Sequence, residues 1–178
     1  MLLWCYKLRH LESLLSRAAP AARSTLRLFE LALADITRAA DLFRPVYDRT
    51  AGVDGFVSLE VSPLLARDTA TTLAVAKDLH QRAGRPNLFI KIPGTPEGLP
   101  AIEEAIFAGV PVNVTLLFSR EHYLAAADAY LRGIERRIAA GLSPDVASVA
   151  SLFISRWDVA VAGQVPDELH FRIEGHTD

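Results

Sequence analysis

Five polar side chains interrupt apolar, strand-like runs of the sequence, and their types make a workable chemical set. Lys91 sits inside "LFIKIP", Glu60 near the end of "GFVSLEV", Asn113 and Thr115 two apart in "VPVNVTLLF", and Ser151 in "SVASLFI". An ammonium held among large hydrophobics is costly. Desolvation favours the neutral amine, the form that attacks a ketone to make a Schiff base. A carboxylate nearby can shuttle protons through water, and an amide and hydroxyls can orient that water and the hydroxyls of a substrate. Each residue also has a plainer reading. Glu60 and Lys91 come from adjacent expected strands and could form a buried ion pair with no catalytic meaning. Asn113, Thr115 and Ser151, taken singly, read as satisfied hydrogen-bonding residues. One polar intrusion in every strand is harder to assign to packing alone.

The elements that must position these groups alternate in type. The runs Gly55–Val61, Asn87–Ile92, Val110–Phe118 and Ser148–Ile154 are near-continuously apolar and read as buried strands. Helical periods lie between them. "DTATTLAVAKDLHQRAG" opens on a capping Asp68 and stops at Gly84, with Pro86 beyond. "TPEGLPAIEEAIFAG" has Thr95 as N-cap, Pro96 at the first helical position and Gly109 at the stop. "SREHYLAAADAYLRGIERRIAAG" puts Tyr123, Ala127, Tyr130, Ile134 and Ile138 on one face. Upstream, Phe29, Ala32, Ile36, Ala39 and Phe43 form a stripe that ends before Pro45. Residues 1–24 read as a weakly helical, poorly defined segment, and 159–178 as a C-terminal tail or helix. Repeated βαβ units imply an α/β fold with a parallel sheet, either doubly wound or part of a (β/α)8 barrel.

Composition narrows the function classes. The chain has 178 residues, 51% of them hydrophobic, and a formal charge of −2, ordinary for one globular domain. That balance gives no electrostatic reason to expect nucleic acid or an anionic membrane as partner. Cys5 is the single cysteine, which excludes an internal disulfide or a cysteine-based metal site. His10, His80, His122, His170 and His176 show no paired ligand spacing, so neither a metal nor another cofactor is expected. The start, "MLLWCYKLRH", reads as no export signal, which points to the cytoplasm. Neither G-x-G-x-x-G nor a P-loop is present, and "PGTPEG" reads as the opening of a capped helix rather than a phosphate cradle.

The segments "FVSLEVSP", "IKIPGTPEGLPAIEEA", "VPVNVTLLFS" and "SVASLFISRWD" resemble the third to sixth strands of the transaldolase family, over roughly Leu28 to Asp158. The resemblance implies a TIM (β/α)8 barrel and an enzyme of the pentose phosphate pathway. Such an enzyme forms a lysine Schiff base with a ketose phosphate and transfers a dihydroxyacetone unit between sugars. It implies that Lys91 is the Schiff-base lysine, Glu60 the acid/base acting with a water, and Thr115 the residue holding that water. It further implies that Asn113 contacts substrate hydroxyls, Ser151 lines the site, and Arg156 lies near the substrate phosphate. A guanidinium can fork two phosphate oxygens, which suits that last role.

The chain also departs from the family pattern. The first-strand aspartate and the second-strand Thr/Ser-Asn-Pro motif are not found, nor are strands seven and eight, so the barrel reads as truncated at both ends. A complete one takes about 250 residues. The expected partners are therefore sugar phosphates together with a homo-oligomer or a complementing chain that supplies the missing strands. Two other readings stay open: a related class I aldolase that releases dihydroxyacetone from fructose 6-phosphate-like sugars, and a catalytically inactive fragment.

Overall fold

In the computed structural model of the protein, residues 4–5, 24–154, 156 and 160 are described. The elements run β1 (Trp4–Cys5), α1 (Ser24–Arg49), β2 (Val57–Glu60), a 3-10 turn (Pro63–Leu65), α2 (Thr69–Ala83), β3 (Leu88–Pro93), α3 (Gly98–Phe107), β4 (Val112–Leu117), α4 (Arg120–Ala139) and β5 (Ser148–Leu152). All five strands are parallel and stand in sequence order, β1-β2-β3-β4-β5. Right-handed crossovers between strands that never reverse direction of travel place every helix on one face of the sheet. A doubly wound sheet reverses its order to put helices on both faces. The arrangement is therefore part of a (β/α)8 barrel, with the helices outside.

The period-two alternation of the strands divides their residues accordingly. Val57, Leu88, Ile90, Ile92, Val112 and Val114 point outward into one apolar cluster with the helices. α1 contributes Leu33, Ile36 and Ala40, α2 contributes Ala76, Leu79 and Ala83, and α3 contributes Ile102, Ala105 and Ile106. The other parity, Ser58, Glu60, Phe89, Lys91, Asn113, Thr115 and Ser151, lies on the inner face.

Local chemistry accounts for most of the boundaries. Asp68 caps α2 by accepting from the Thr71 amide at 3.0 Å, and Gly84 ends it in the left-handed conformation at φ 58°. Gly109, at φ 85°, closes α3 with paired bonds from Gly109 N to Ile106 O and from Val110 N to Ala105 O, both 2.9 Å.

Several elements differ from expectation. α1 runs through Pro45 to Arg49, although proline removes one helical hydrogen bond. Its last turn is held from outside: Thr50 Oγ1 donates to Val46 O at 2.9 Å, and Tyr47 packs edge-on against Phe56 with ring centroids 5.1 Å apart. α4 buries Ala126, Ala129 and Gly133, with Tyr130 and Ile134 beside them, while Tyr123 and Ile138 of the expected stripe are exposed. A β-carbon on Gly133 would stand 2.8 Å from Ile106, so small residues set the close α3–α4 contact. Glu103 of α3 bridges the same contact by accepting from Arg132 at 2.7 Å and Arg136 at 2.9 Å. The Arg132 bond, seconded by Arg136, holds the Glu103 carboxyl below its usual range. Finally, Trp4 and Cys5 pair in parallel with Val57 and Ser58, where the sequence suggested only a weakly helical start. The remainder of that segment and the expected tail after Asp158, apart from Ala160, lie outside the described residues. No helix among the described residues is long and apolar enough to cross a membrane.

Asn87 joins the two layers just before β3. It is wholly buried, and its Nδ2 donates to Ala40 O of α1 at 2.8 Å and to Gly55 O ahead of β2 at 2.9 Å. Asn87→Ala removes both bonds at a site water cannot reach, so a loss of about 1–3 kcal/mol in unfolding free energy is expected. Chemical denaturation checks this, as a lower midpoint with unchanged slope. A loss under about 0.5 kcal/mol, the scale of a neutral surface change, would show that the residue holds nothing.

Candidate active site

β2, β3 and β4 bring their polar residues level with one another. In register, Glu60 stands opposite Lys91, Lys91 opposite Asn113, and Pro93 opposite Thr115. The Lys91 ammonium nitrogen lies 3.3 Å from Glu60 Oε2. The two partners are unequally exposed: the Lys91 side chain is 11% accessible and that of Glu60 46%. The pair is therefore not the buried ion pair considered from sequence. The lysine end is largely enclosed and the carboxylate end meets solvent.

Asn113 is 2% exposed, and its amide is held at both ends. Nδ2 donates to Ser58 Oγ of β2 at 3.2 Å, and Oδ1 accepts from Ser151 Oγ of β5 at 2.8 Å. Ser58 was not singled out in the sequence, although its spacing of two from Glu60 puts it on the same face. Thr115 is 1% exposed, one step beyond Asn113 on that face. Arg156 follows β5, exposed, with its guanidinium carbon 5.2 Å from the Phe153 ring centroid and 5.7 Å from that of Phe118. Those two rings stack at 5.4 Å, so the arginine stands over an aromatic platform at the carboxyl ends of β4 and β5. The five strand residues thus share one face, and Arg156 stands beyond the strand ends.

Backbone features hold this end of the sheet. Leu116 adopts φ 58°, and the β4–β5 register shifts between Val114 and Leu117. A leucine in the left-handed region is strained by roughly 1–2 kcal/mol. The extra residue reverses the alternation after Thr115, so Leu117 returns to the helix-side core instead of facing inward. Leu117 in turn requires Gly94 after β3, since a β-carbon there would lie 2.6 Å from Leu117 Cδ2. The N-cap of α3 falls at Glu97 rather than at the expected Thr95, and the helix begins at Gly98. Thr95 nonetheless accepts from the Gly98 amide at 3.0 Å while its hydroxyl donates to Ala66 O at 2.6 Å, and Thr69 Oγ1 donates to Glu97 O at 2.5 Å. These bonds lash the loop after β2 to the loop after β3. The Gly94 amide donates to Thr115 O, and the Gly98 and Leu99 amides to Thr95 O. "PGTPEG" is thus a brace at the carboxyl ends of the strands, with those amides occupied rather than offered to a phosphate.

A cavity of about 410 Å³ lies at the opposite, amino ends of the strands, lined in part by Asp54, Phe56, Phe89 and Val146. That end of a (β/α)8 barrel serves stability, whereas the carboxyl ends of the strands carry chemistry. Lys91 and Glu60 lie toward the carboxyl ends.

Comparison with known proteins agrees with this geometry. The family model described as transaldolase/fructose-6-phosphate aldolase matches residues 8–175. A transaldolase of Trichodesmium erythraeum is 48% identical over 151 residues, covering 84% of this chain and 40% of the relative. Transaldolase 1 of Streptomyces avermitilis is 56% identical over 126 residues, covering 70% of this chain and 33% of the relative. A transaldolase of Thermobifida fusca is 56% identical over 128 residues, or 71% of this chain and 35% of the relative. The chain thus spans between a third and two fifths of the length of these relatives. With a matching family model over nearly all of its residues and a parallel, singly wound sheet, the chain belongs to the transaldolase/fructose-6-phosphate aldolase family.

Proposed function

We propose that this chain carries the Schiff-base half-site of a transaldolase and acts on ketose phosphates such as fructose 6-phosphate. The observation that carries the reading is the Lys91 nitrogen on the inner face of the sheet, 3.3 Å from a solvent-facing Glu60 carboxylate. Proton transfer along that contact converts ammonium and carboxylate into amine and carboxylic acid. The amine then attacks the ketose carbonyl, forming the carbon–nitrogen bond of a carbinolamine. The carboxylic acid returns its proton, through water, to the carbinolamine hydroxyl, which leaves as water and gives the iminium. In this proposal Thr115 holds that water, Asn113 and Ser151 receive substrate hydroxyls, and Arg156 takes the phosphate.

The proposal extends to partners. The outer edge of β5 is unpaired among the described residues, and exposed strand edges invite pairing. The strand beside it comes from further polypeptide of the same barrel, from a second copy, or from a complementing chain.

Ligand that binds the native state raises its stability by about 2.7 kcal/mol at a hundredfold excess over Kd. Fructose 6-phosphate is therefore expected to raise the melting temperature by several degrees, with glucose 6-phosphate, an aldose, as the contrast. No shift with any ketose phosphate would favour a catalytically inactive member of the family. The family description also covers fructose-6-phosphate aldolases. Product analysis separates the two chemistries: release of free dihydroxyacetone without an acceptor aldehyde marks an aldolase, and dependence on the acceptor marks transfer.

A further inference from the structure

Ser58 shares a face with Glu60, and its hydroxyl is buried and bonded to Asn113. The serine is 7% exposed and its Oγ lies 3.2 Å from Asn113 Nδ2. β2 and β4 are not neighbours; β3 runs between them. Residues of alternate strands meet in this way because a barrel interior is built in layers drawn from alternate strands. Ser58 faces Phe89 in register, one layer below the level at which Glu60 faces Lys91. It therefore reaches beneath Lys91 to the amide on the far side.

A carboxamide has two N–H donors and two acceptor lone pairs. In Asn113 one donor goes to β2 and one lone pair receives Ser151 of β5, from opposite sides of the amide. Rotation about the terminal torsion of asparagine is otherwise soft and roughly two-fold. Two hydroxyls anchored on separate strands fix the amide plane, and with it the direction of the remaining N–H and lone pair.

We infer that Ser58 is a positioning residue for substrate recognition. It holds the Asn113 amide in the plane that presents its remaining N–H and lone pair to the hydroxyls of a ketose phosphate bound at Lys91. The inference rests on the Schiff-base reading above and adds a residue to it.

Borohydride trapping on Lys91, followed against fructose 6-phosphate concentration, supplies the test. Ser58→Ala is expected to raise the half-saturating concentration about tenfold, the factor that corresponds to about 1.4 kcal/mol, while the plateau rate stays within twofold. Loss of binding with unchanged chemistry is the signature of an interaction made equally in ground and transition states. In an Asn113→Ala background the same Ser58 change is expected to shift half-saturation less than twofold, because the serine acts only through that amide. Ser58→Thr keeps the hydroxyl and should recover most of the affinity. Additive effects of the two alanine changes, or an unchanged half-saturation in Ser58→Ala, would overturn the inference while leaving Lys91 chemistry intact. Absence of any adduct in the unaltered protein would instead overturn the Schiff-base reading, and this inference with it. Should Ser58→Ala unfold, as far-ultraviolet circular dichroism would show, the Ser58→Thr and Asn113→Ala arms still decide: tenfold weakening in Asn113→Ala with near-normal Ser58→Thr supports the assignment, and unchanged affinity in Asn113→Ala refutes it.

Discussion

Lys91→Met abolishes the sugar-dependent borohydride adduct and leaves the fold in place. The first half of this expectation follows from chemistry: a thioether cannot form an iminium, so no reducible species exists. The second follows from exposure. Removing one partner of a fully buried ion pair strands a charge and costs about 3–5 kcal/mol. Here the carboxylate left behind belongs to Glu60, whose side chain is 46% accessible and keeps its hydration. Methionine is unbranched and adaptable, and fills most of the volume of the lysine stem. Circular dichroism and the melting temperature should therefore stay close to those of the unaltered protein while the adduct disappears. An adduct that persists in Lys91→Met would place the reactive amine elsewhere.

Glu60→Gln separates proton transfer from binding. The change is isosteric and removes the group proposed to take the proton from Lys91 and return it to the leaving hydroxyl. General acid–base catalysis contributes typically 10²–10⁴-fold, so the rate of adduct formation is expected to fall by about that factor. The final extent of labelling should be retained on long incubation, because the nucleophile is intact. The Lys91 ammonium left without its carboxylate is only 11% accessible, so some loss of stability is expected, and rates are compared on protein shown to be folded by circular dichroism. A trapping rate within threefold of the unaltered protein would remove Glu60 from the mechanism and leave it only an ion-pair partner of Lys91.

The shared face of these polar residues was legible in the sequence because it is written in period two. Lys91, Asn113 and Thr115 stand on strands that are otherwise apolar, and parity alone puts Asn113 and Thr115 on one face. Ser58 carries the same signal relative to Glu60 and was passed over because a lone serine in a strand is unremarkable until its partner is known. Strand periodicity left barrel and doubly wound sheet open, and only the family resemblance pointed to the barrel. The choice depends on strand order, which no local pattern encodes, and sequential pairing from β1 to β5 decides it. Tertiary contacts overrode two local rules. Pro45 should stop α1, but Tyr47, Thr50 and Asn87 fasten the turns on either side of it. The α4 stripe follows hydrophobicity, yet the buried positions are the alanines and glycine that allow α3 to approach. The bulge at Leu116 was invisible because "VNVTLL" alternates plausibly without it, and only the return of Leu117 to the core reveals the extra residue.

The central proposal is that Lys91 is the amine that reacts with a ketose. Lys7, Lys77 and Lys91 are the lysines of the chain, so a single peptide map distinguishes them. Tandem mass spectrometry of the protein reduced with borohydride in the presence of fructose 6-phosphate should find the added mass on the Lys91 peptide alone. Added mass on Lys7 or Lys77, or an unlabelled Lys91 at saturating sugar, would contradict the account.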